Sequence, residues 1–312
     1  MSEKPHSLPP GTTLAPFVVE KTLSAGGFSI VYLAINQDNK ERVVIKEYLP
    51  QKMARRDTDG SVILNGAEFT DAYAEGRKLF HHEANALRKL HHPNIVHVTH
   101  FFEANGTLYM VMDYKPGTNL QNFIKKGGGG LSQKVILTLF PPLLDGLRVV
   151  HEAHMLHLDI KPGNIHVQPG GAPLLLDFGA VHRTQMSRQF QPRSVITDGF
   201  SPPEQYKKNG YIGPWTDIYA VGATIRACMD GCPPPSANLR KEKDTLKPAA
   251  QAYAKKYSAS LLQAVDWAME LDALLRPQSI DEYMELFEKA AIETTPEPKK
   301  GMLNRLFGRK TG

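Results

Sequence analysis

Cysteine is nearly absent from this 312-residue chain, which carries only Cys228 and Cys232. Both precede Pro-rich sequence, no second pair completes a zinc site, and their spacing is not that of a redox Cys-x-x-Cys motif. Two reduced thiols are expected, as in a cytoplasmic protein. Long apolar runs are missing too. No stretch reaches the roughly 18 residues that a membrane-spanning helix needs. Residues 1–13 are polar and Pro-rich and lack the apolar core of a secretion signal. Charge of one sign is only in mild excess, at net +5. No basic stretch is interleaved with aromatics, so no nucleic-acid footprint is expected. No internal repeat is seen.

What is present suits a soluble globular protein, with 41% hydrophobic and 22% charged residues. Residues 1–16 read as a flexible arm. Alternating apolar segments follow at Phe17-Val18-Val19, Ile30-Val31-Tyr32-Leu33-Ala34 and Val43-Val44-Ile45. Turn-rich sequence separates them, which predicts an antiparallel meander. Residues 50–66 are a polar insertion turning at Asp57-Thr58-Asp59-Gly60, which reads as a passive surface hairpin or, as the alternative, a gate on the following helix. A helix is predicted from about Phe69 to Leu90, with Leu79, Glu83, Leu87 and Leu90 on one face. Strands at residues 95–102 and 108–114 meet at Asn105-Gly106. Beyond a hinge near 113–117, helical patterns dominate at 133–154, 216–229, 261–271 and 281–291, with a loop at 127–130.

Several segments carry chemistry. A small-residue turn, Leu23-Ser24-Ala25-Gly26-Gly27-Phe28-Ser29, lies between two strands; it fits a phosphate cradle or a simple hairpin. Lys46 closes an apolar strand and can reach phosphates if a carboxylate holds it. Glu83 is the candidate, because a carboxylate on an apolar helix face is costly unless paired. In His157-Leu158-Asp159-Ile160-Lys161-Pro162-Gly163-Asn164, Asp159 can accept a hydroxyl proton, Lys161 can neutralise phosphate and Asn164 can ligate a metal. Asp177, in Asp177-Phe178-Gly179, follows an apolar strand and suits Mg²⁺.

The ordered set resembles the eukaryotic-like Ser/Thr protein kinase family over residues 17–292. Lys46-Glu47-Tyr48-Leu49-Pro50 and Pro202-Pro203-Glu204-Gln205-Tyr206 look most like bacterial members. The resemblance implies an α+β bilobal fold. A small antiparallel β-sheet N-lobe with one main helix (17–113) would precede a larger, mostly α-helical C-lobe (114–292), then a linker and basic tail (293–312). It implies ATP and Mg²⁺, with Mn²⁺ as an alternative, and protein substrates. Lys46 would hold the α/β-phosphates and pair with Glu83; Asn164 and Asp177 would bind metal. Asp159 would orient the substrate hydroxyl, Lys161 would touch the γ-phosphate, and Thr197 would bridge the two. The nucleotide would meet Leu23, Ser24, Gly26, Ser29, Val31, Val44, the gatekeeper Met112, the hinge at Asp113 to Lys115, Asn119 and His166. Val98, Leu87, His157 and Phe178 match the stacked regulatory spine. Glu204 should pair with Arg276, and Asp217 should brace the catalytic loop.

Departures from the family pattern matter. Ser24 and Ser29 replace two loop glycines, which implies a stiffer loop. Val44 replaces the usual Ala above adenine. His166 stands where an apolar floor residue usually lies, which implies weaker ATP binding. Leu158 replaces the Arg that normally anchors an activation-loop phosphate, so activity independent of phosphorylation at Thr184, Ser187 or Ser194 is expected. Asn119, Gly163 and Ala227 stand where acids select upstream Arg, so no such selection is expected. Two other classes fit parts of the pattern: a pseudokinase scaffold, and an aminoglycoside- or choline-kinase-type phosphotransferase. The intact Lys46, Asp159 and Asp177 stand against the first; Pro202-Pro203-Glu204, Asp217 and Arg276 stand against the second. The basic tail at 299–310 has apolar residues at helical spacing. It reads as a peripheral membrane segment, a partner-docking segment or a solvated tail.

Overall fold

The computed structural model describes residues 6–128, 130–178 and 196–294, and the backbone of 182–183. Gly179, Thr184, Ser187, Ser194 and the basic tail lie outside the described residues. The chain forms two compact units.

The first unit comprises residues 1–120, 149–157 and 163–192. Its sheet has six strands: β1 (Thr13–Leu14), β2 (Phe17–Ala25), β3 (Ser29–Asn36), β4 (Arg42–Tyr48), β7 (Val98–Ala104) and β8 (Thr107–Asp113). Their order is β1-β2-β3-β4-β8-β7, antiparallel throughout. Between β4 and β7 the chain forms a hairpin of β5 (Ala54–Arg56) and β6 (Val62–Leu64), then helix α1 (Thr70–Leu87). The β7–β8 turn works because Asn105 and Gly106 both take positive φ, 50° and 72°, as a tight hairpin demands. Three short strands, β9 (Thr118–Asn119), β11 (Ile165–Val167) and β12 (Pro173–Leu175), form a second sheet. Asn94 Nδ2 donates to the Pro173 carbonyl at 2.7 Å, and Val96 N donates to the Leu175 carbonyl at 3.0 Å. These bonds explain why residues 163–192 group with the sheet and not with the helical part in which the sequence places them.

Three expectations are corrected here. Residues 6–16 are not a free arm: Leu8 and Leu14 are buried, Leu8 N donates to Tyr32 Oη at 3.1 Å, and β1 extends the sheet. Leu79 is exposed, because the buried stripe of α1 is Tyr73, Phe80, Glu83, Ala84 and Leu87. The hairpin is no passive surface feature. Arg56 donates to Glu47 Oε2 at 2.5 Å, and Glu47, a residue of β4, is fully buried. Tyr32 and Tyr109 donate to the same carboxylate at 2.6 and 2.7 Å. A buried carboxylate needs such partners, and here the insertion supplies one of them.

The second unit comprises residues 121–148, 158–162 and 193–312. Helix α2 (Leu120–Lys126) leads into it and α3 (Gln133–Glu152) leads out; β10 (Met155–Leu156) pairs with β13 (His182–Arg183) in the first unit. The remaining helices are α4 (Pro214–Asp230), α5 (Ala237–Glu242), α6 (Ala249–Ala252), α7 (Ala259–Ala268) and α8 (Ile280–Thr294). Helix α4 is buried almost throughout, from Thr216 to Met229. Pro214 opens it, and Gly231 closes it at φ 78°, the left-handed conformation glycine tolerates. Cys228 and Cys232 are both free thiols. Among the described residues no helix is long and apolar enough to cross a membrane.

Candidate active site

In the first unit, strand alternation turns Lys46 toward α1, and its ammonium sits 2.9 Å from Glu83 and 2.7 Å from Asp177. Lys46 and Glu83 are both buried. Burial pulls the Lys46 ammonium toward neutrality, but the charges of Asp177 and Glu83 outweigh it and hold it above its ordinary range. Burial pushes Glu83 upward, against the opposing pull of Lys46. The ammonium therefore stays charged, aligned by two carboxylates. Asp177 has φ 56°, a left-handed conformation disfavoured for a residue other than glycine. Such conformations cost on the order of 1–3 kcal/mol and cluster at functional sites. Beside it, Phe178 packs on His157 with ring centroids 4.6 Å apart, and His157 Nε2 donates to the Leu176 carbonyl at 3.0 Å. Leu87, Val98, His157 and Phe178 are all buried, as a continuous spine requires.

Asn164 is buried at the end of a short turn, and its carbonyl accepts from Leu176 N at 2.8 Å. That bond sets Asn164 and Asp177 on adjacent backbone. An amide oxygen and a carboxylate suit a hard cation that keeps phosphate oxygens and water as its other ligands.

The nucleotide-site candidates fall on the same sheets. Val44 pairs with Met112, and Val31 with Lys46. The turn bearing Ser24, Gly26 and Ser29 is tied down: Gly26 N donates to the Ser29 carbonyl at 2.9 Å, while the Gly27 and Phe28 carbonyls accept from Gln51 N and Leu49 N. Leu23 is exposed. Asp113 ends β8, and Asn119 pairs with His166 across β9 and β11. His166 Nε2 donates to the Lys115 carbonyl at 3.1 Å. The ring therefore binds the backbone at Lys115, which its reading as a simple replacement for an apolar floor did not include.

In the second unit, Asp159 is buried and accepts from Thr197 Oγ1 at 2.8 Å and from Lys161 Nζ at 2.8 Å on both oxygens. Lys161 also donates to Thr197 Oγ1 at 3.2 Å. Leu158, at φ 62°, precedes this group. Its N–H is held by Asp217 at 2.8 Å and its carbonyl by Gln205 Nε2 at 2.9 Å. The sequence reading named Asp217 and missed Gln205, whose only signal was its place after Glu204. Arg276 donates to Glu204 at 2.7 and 3.1 Å, and Thr216 adds a bond to Glu204 Oε1.

An antiparallel sheet unit with one main helix and a Lys–Glu–Asp cluster, and a helical unit with an Asp–Lys–Thr cluster, define a protein kinase. The chain belongs to the protein kinase family, in its eukaryotic-like Ser/Thr branch: the protein kinase domain model matches residues 17–286. Among solved structures, the apo form of PpkA-294 aligns at TM-score 0.80 with 36% identity, covering 90% of this chain and 99% of that one. Serine/threonine-protein kinase B of Synechocystis sp. (strain ATCC 27184 / PCC 6803 / Kazusa) is 28% identical over 308 residues, 93% of this chain and 49% of its own length. Serine/threonine-protein kinase D of the same organism is 27% identical over 276 residues, 85% of this chain and 50% of its own length. CBL-interacting protein kinase 12 of Oryza sativa subsp. japonica is 28% identical over 226 residues, 71% and 38% of the two chains. This chain thus spans half or less of these curated relatives.

Proposed function

We propose that the protein transfers the γ-phosphate of Mg·ATP to Ser and Thr hydroxyls of other proteins. The observation that carries this reading is the Lys46 ammonium held at 2.9 and 2.7 Å between Glu83 and Asp177. A charge fixed in that way can align phosphates without reorganising. Asn164 and Asp177 would hold the divalent cation, which neutralises phosphate charge as the bond breaks. Asp159 orients the substrate hydroxyl. Its oxygen bonds to the γ-phosphorus, the bond from that phosphorus to the bridging oxygen breaks, and ADP leaves. The hydroxyl proton passes late to the Asp159 carboxylate, while Lys161 balances charge on the transferred group. Residues 17–113 and 114–292 are the two lobes by chain position in this reading, with 114–120, 149–157 and 163–192 of the second stretch grouping with the sheet. Free cysteines and a need for ATP suit the cytoplasm.

The test is transfer of labelled γ-phosphate to casein or myelin basic protein, followed by phosphoamino-acid analysis. Label on Ser or Thr with wild type, absent with Asp177→Asn, is the expected result. Bound ATP without transfer would support the scaffold reading instead.

Activation-loop phosphorylation is dispensable in this proposal. Leu158 is buried and has no charge with which to anchor a phosphate. Replacing Thr184, Ser187 and Ser194 together by Ala is expected to change kcat by no more than about twofold. Loss of activity in the triple variant would refute it.

A further inference from the structure

Helix α1 contains a glycine, Gly76, in its middle. Interior glycine costs a helix about 1 kcal/mol relative to alanine, so its presence calls for a steric reason. Tyr48 supplies one. A Cβ built on Gly76 would lie 1.9 Å from Tyr48 Oη and 2.8 Å from its Cζ. Tyr48 has little room to move aside, because its side chain is buried. Its ring lies 5.3 Å from that of Tyr73 and 5.7 Å from that of Phe80. Tyr73, Gly76 and Phe80 are three and four residues apart, so they share one face of the helix. They form a notch with an aromatic wall on each side and glycine as its floor, and Tyr48 fills it.

The notch joins the two elements that carry the Lys46–Glu83 pair. Tyr48 lies two residues after Lys46 in β4, and a period of two turns both side chains to the same side. Glu83 lies seven residues after Gly76 in α1, two turns further along the same face. Phe80 connects the two contacts, with the Lys46 ammonium 5.8 Å from the centre of its ring. Strand and helix therefore meet at a steric contact and at an ionic one. An ion pair between flexible side chains tolerates sliding, whereas a ring in a close-fitting notch does not.

We infer that the Tyr48–Gly76 contact is a register pin, which sets α1 against β4 so that Glu83 meets Lys46. Gly76 and Tyr48 are positioning residues, and the inference rests on the kinase reading of that pair. A methyl group in the notch pushes α1 off β4 and loosens the grip of Lys46 on phosphates. Loss of the ring makes room for that methyl.

The test compares wild type, Gly76→Ala, Tyr48→Leu and Gly76→Ala/Tyr48→Leu, with thermal melts for each. Mg·ATP affinity by titration and kcat by γ-phosphate transfer are read separately. Gly76→Ala is expected to weaken Mg·ATP at least tenfold, and the double variant to recover most of that loss. Unchanged affinity in Gly76→Ala, or a double variant no better than the single, overturns the pin. If Gly76→Ala does not fold, the double variant decides: tight nucleotide binding supports the pin and a tenfold loss overturns it. A wild type that binds Mg·ATP but transfers no phosphate above Asp159→Asn removes the kinase reading, and the pin is still judged from affinity.

Discussion

Replacing Asp159 by Asn is expected to lower kcat by about 10²–10⁴, the range seen for loss of a positioned acid–base group. The carboxylate receives Thr197 Oγ1 on one oxygen and Lys161 Nζ on both. Asparagine keeps the shape but turns one of those acceptors into an NH₂ donor. That donor then faces the Lys161 ammonium and cannot accept a proton from substrate. Lys161 loses an ionic anchor, so charge balance on the transferred phosphate weakens as well. Because the interaction acts at the transferring hydroxyl, kcat should fall while the ATP KM stays near wild type. Steady-state transfer to a Ser/Thr protein substrate measures both. A variant retaining more than about a tenth of wild-type kcat would show that Asp159 is not the proton acceptor.

Arg276→Met is expected to destabilise the protein by about 3–5 kcal/mol, because it strands the buried Glu204 carboxylate. Arg276 is 2% exposed and one of the largest fully buried side chains. Besides Glu204, its guanidinium donates to the carbonyls of Glu270, Leu271 and Trp215, and it packs 4.8 Å from the centre of the Tyr219 ring. One residue thus ties α4 and the segment after α7 to the turn that carries Glu204 and Gln205. A melting shift on the order of 10 °C should follow in a domain of this size. Glu204→Gln/Arg276→Met should recover part of the loss, since the uncompensated charge is gone. A single-variant cost below about 1 kcal/mol, within the range of an exposed pair, would contradict the assignment.

These two predictions draw on residues of different legibility. Asp159, Lys161, Asn164 and Asp177 could be read from residue type and spacing, because two short segments carry all four. Glu83 was legible one step further out: a carboxylate on an apolar helix face needs a cation, and Lys46 closes a nearby strand. Meander, hairpin turn and helices followed from apolar periods and from turn residues such as Asn105 and Gly106, which act within a few residues of themselves.

Glu47 had no such signal. In sequence it is an ordinary carboxylate beside Lys46. Its burial depends on Tyr32, Arg56 and Tyr109, which come from three other segments. The same network draws in the supposed arm and the supposed surface hairpin: Arg56 also donates to the carbonyls of His6 and Gly60. Leu79 was misplaced because helical spacing defines a face without saying how wide its buried part is. His166 was read against an apolar standard, while its hydrogen bond to the Lys115 carbonyl exists only once β9 and β11 pair. Gly76 carried no signal in the sequence; only the packing of Tyr48 against it gives the glycine a reason.

By itself, then, the sequence determined the family, the main run of strands and helices, and the side chains proposed here to handle phosphate, metal and hydroxyl. Those depend on residue type and on spacing within single elements. Tertiary structure alone decided which charges are buried, which glycine is obligatory and which insertion supports the sheet. Those depend on distances between residues tens of positions apart, and no local period encodes them.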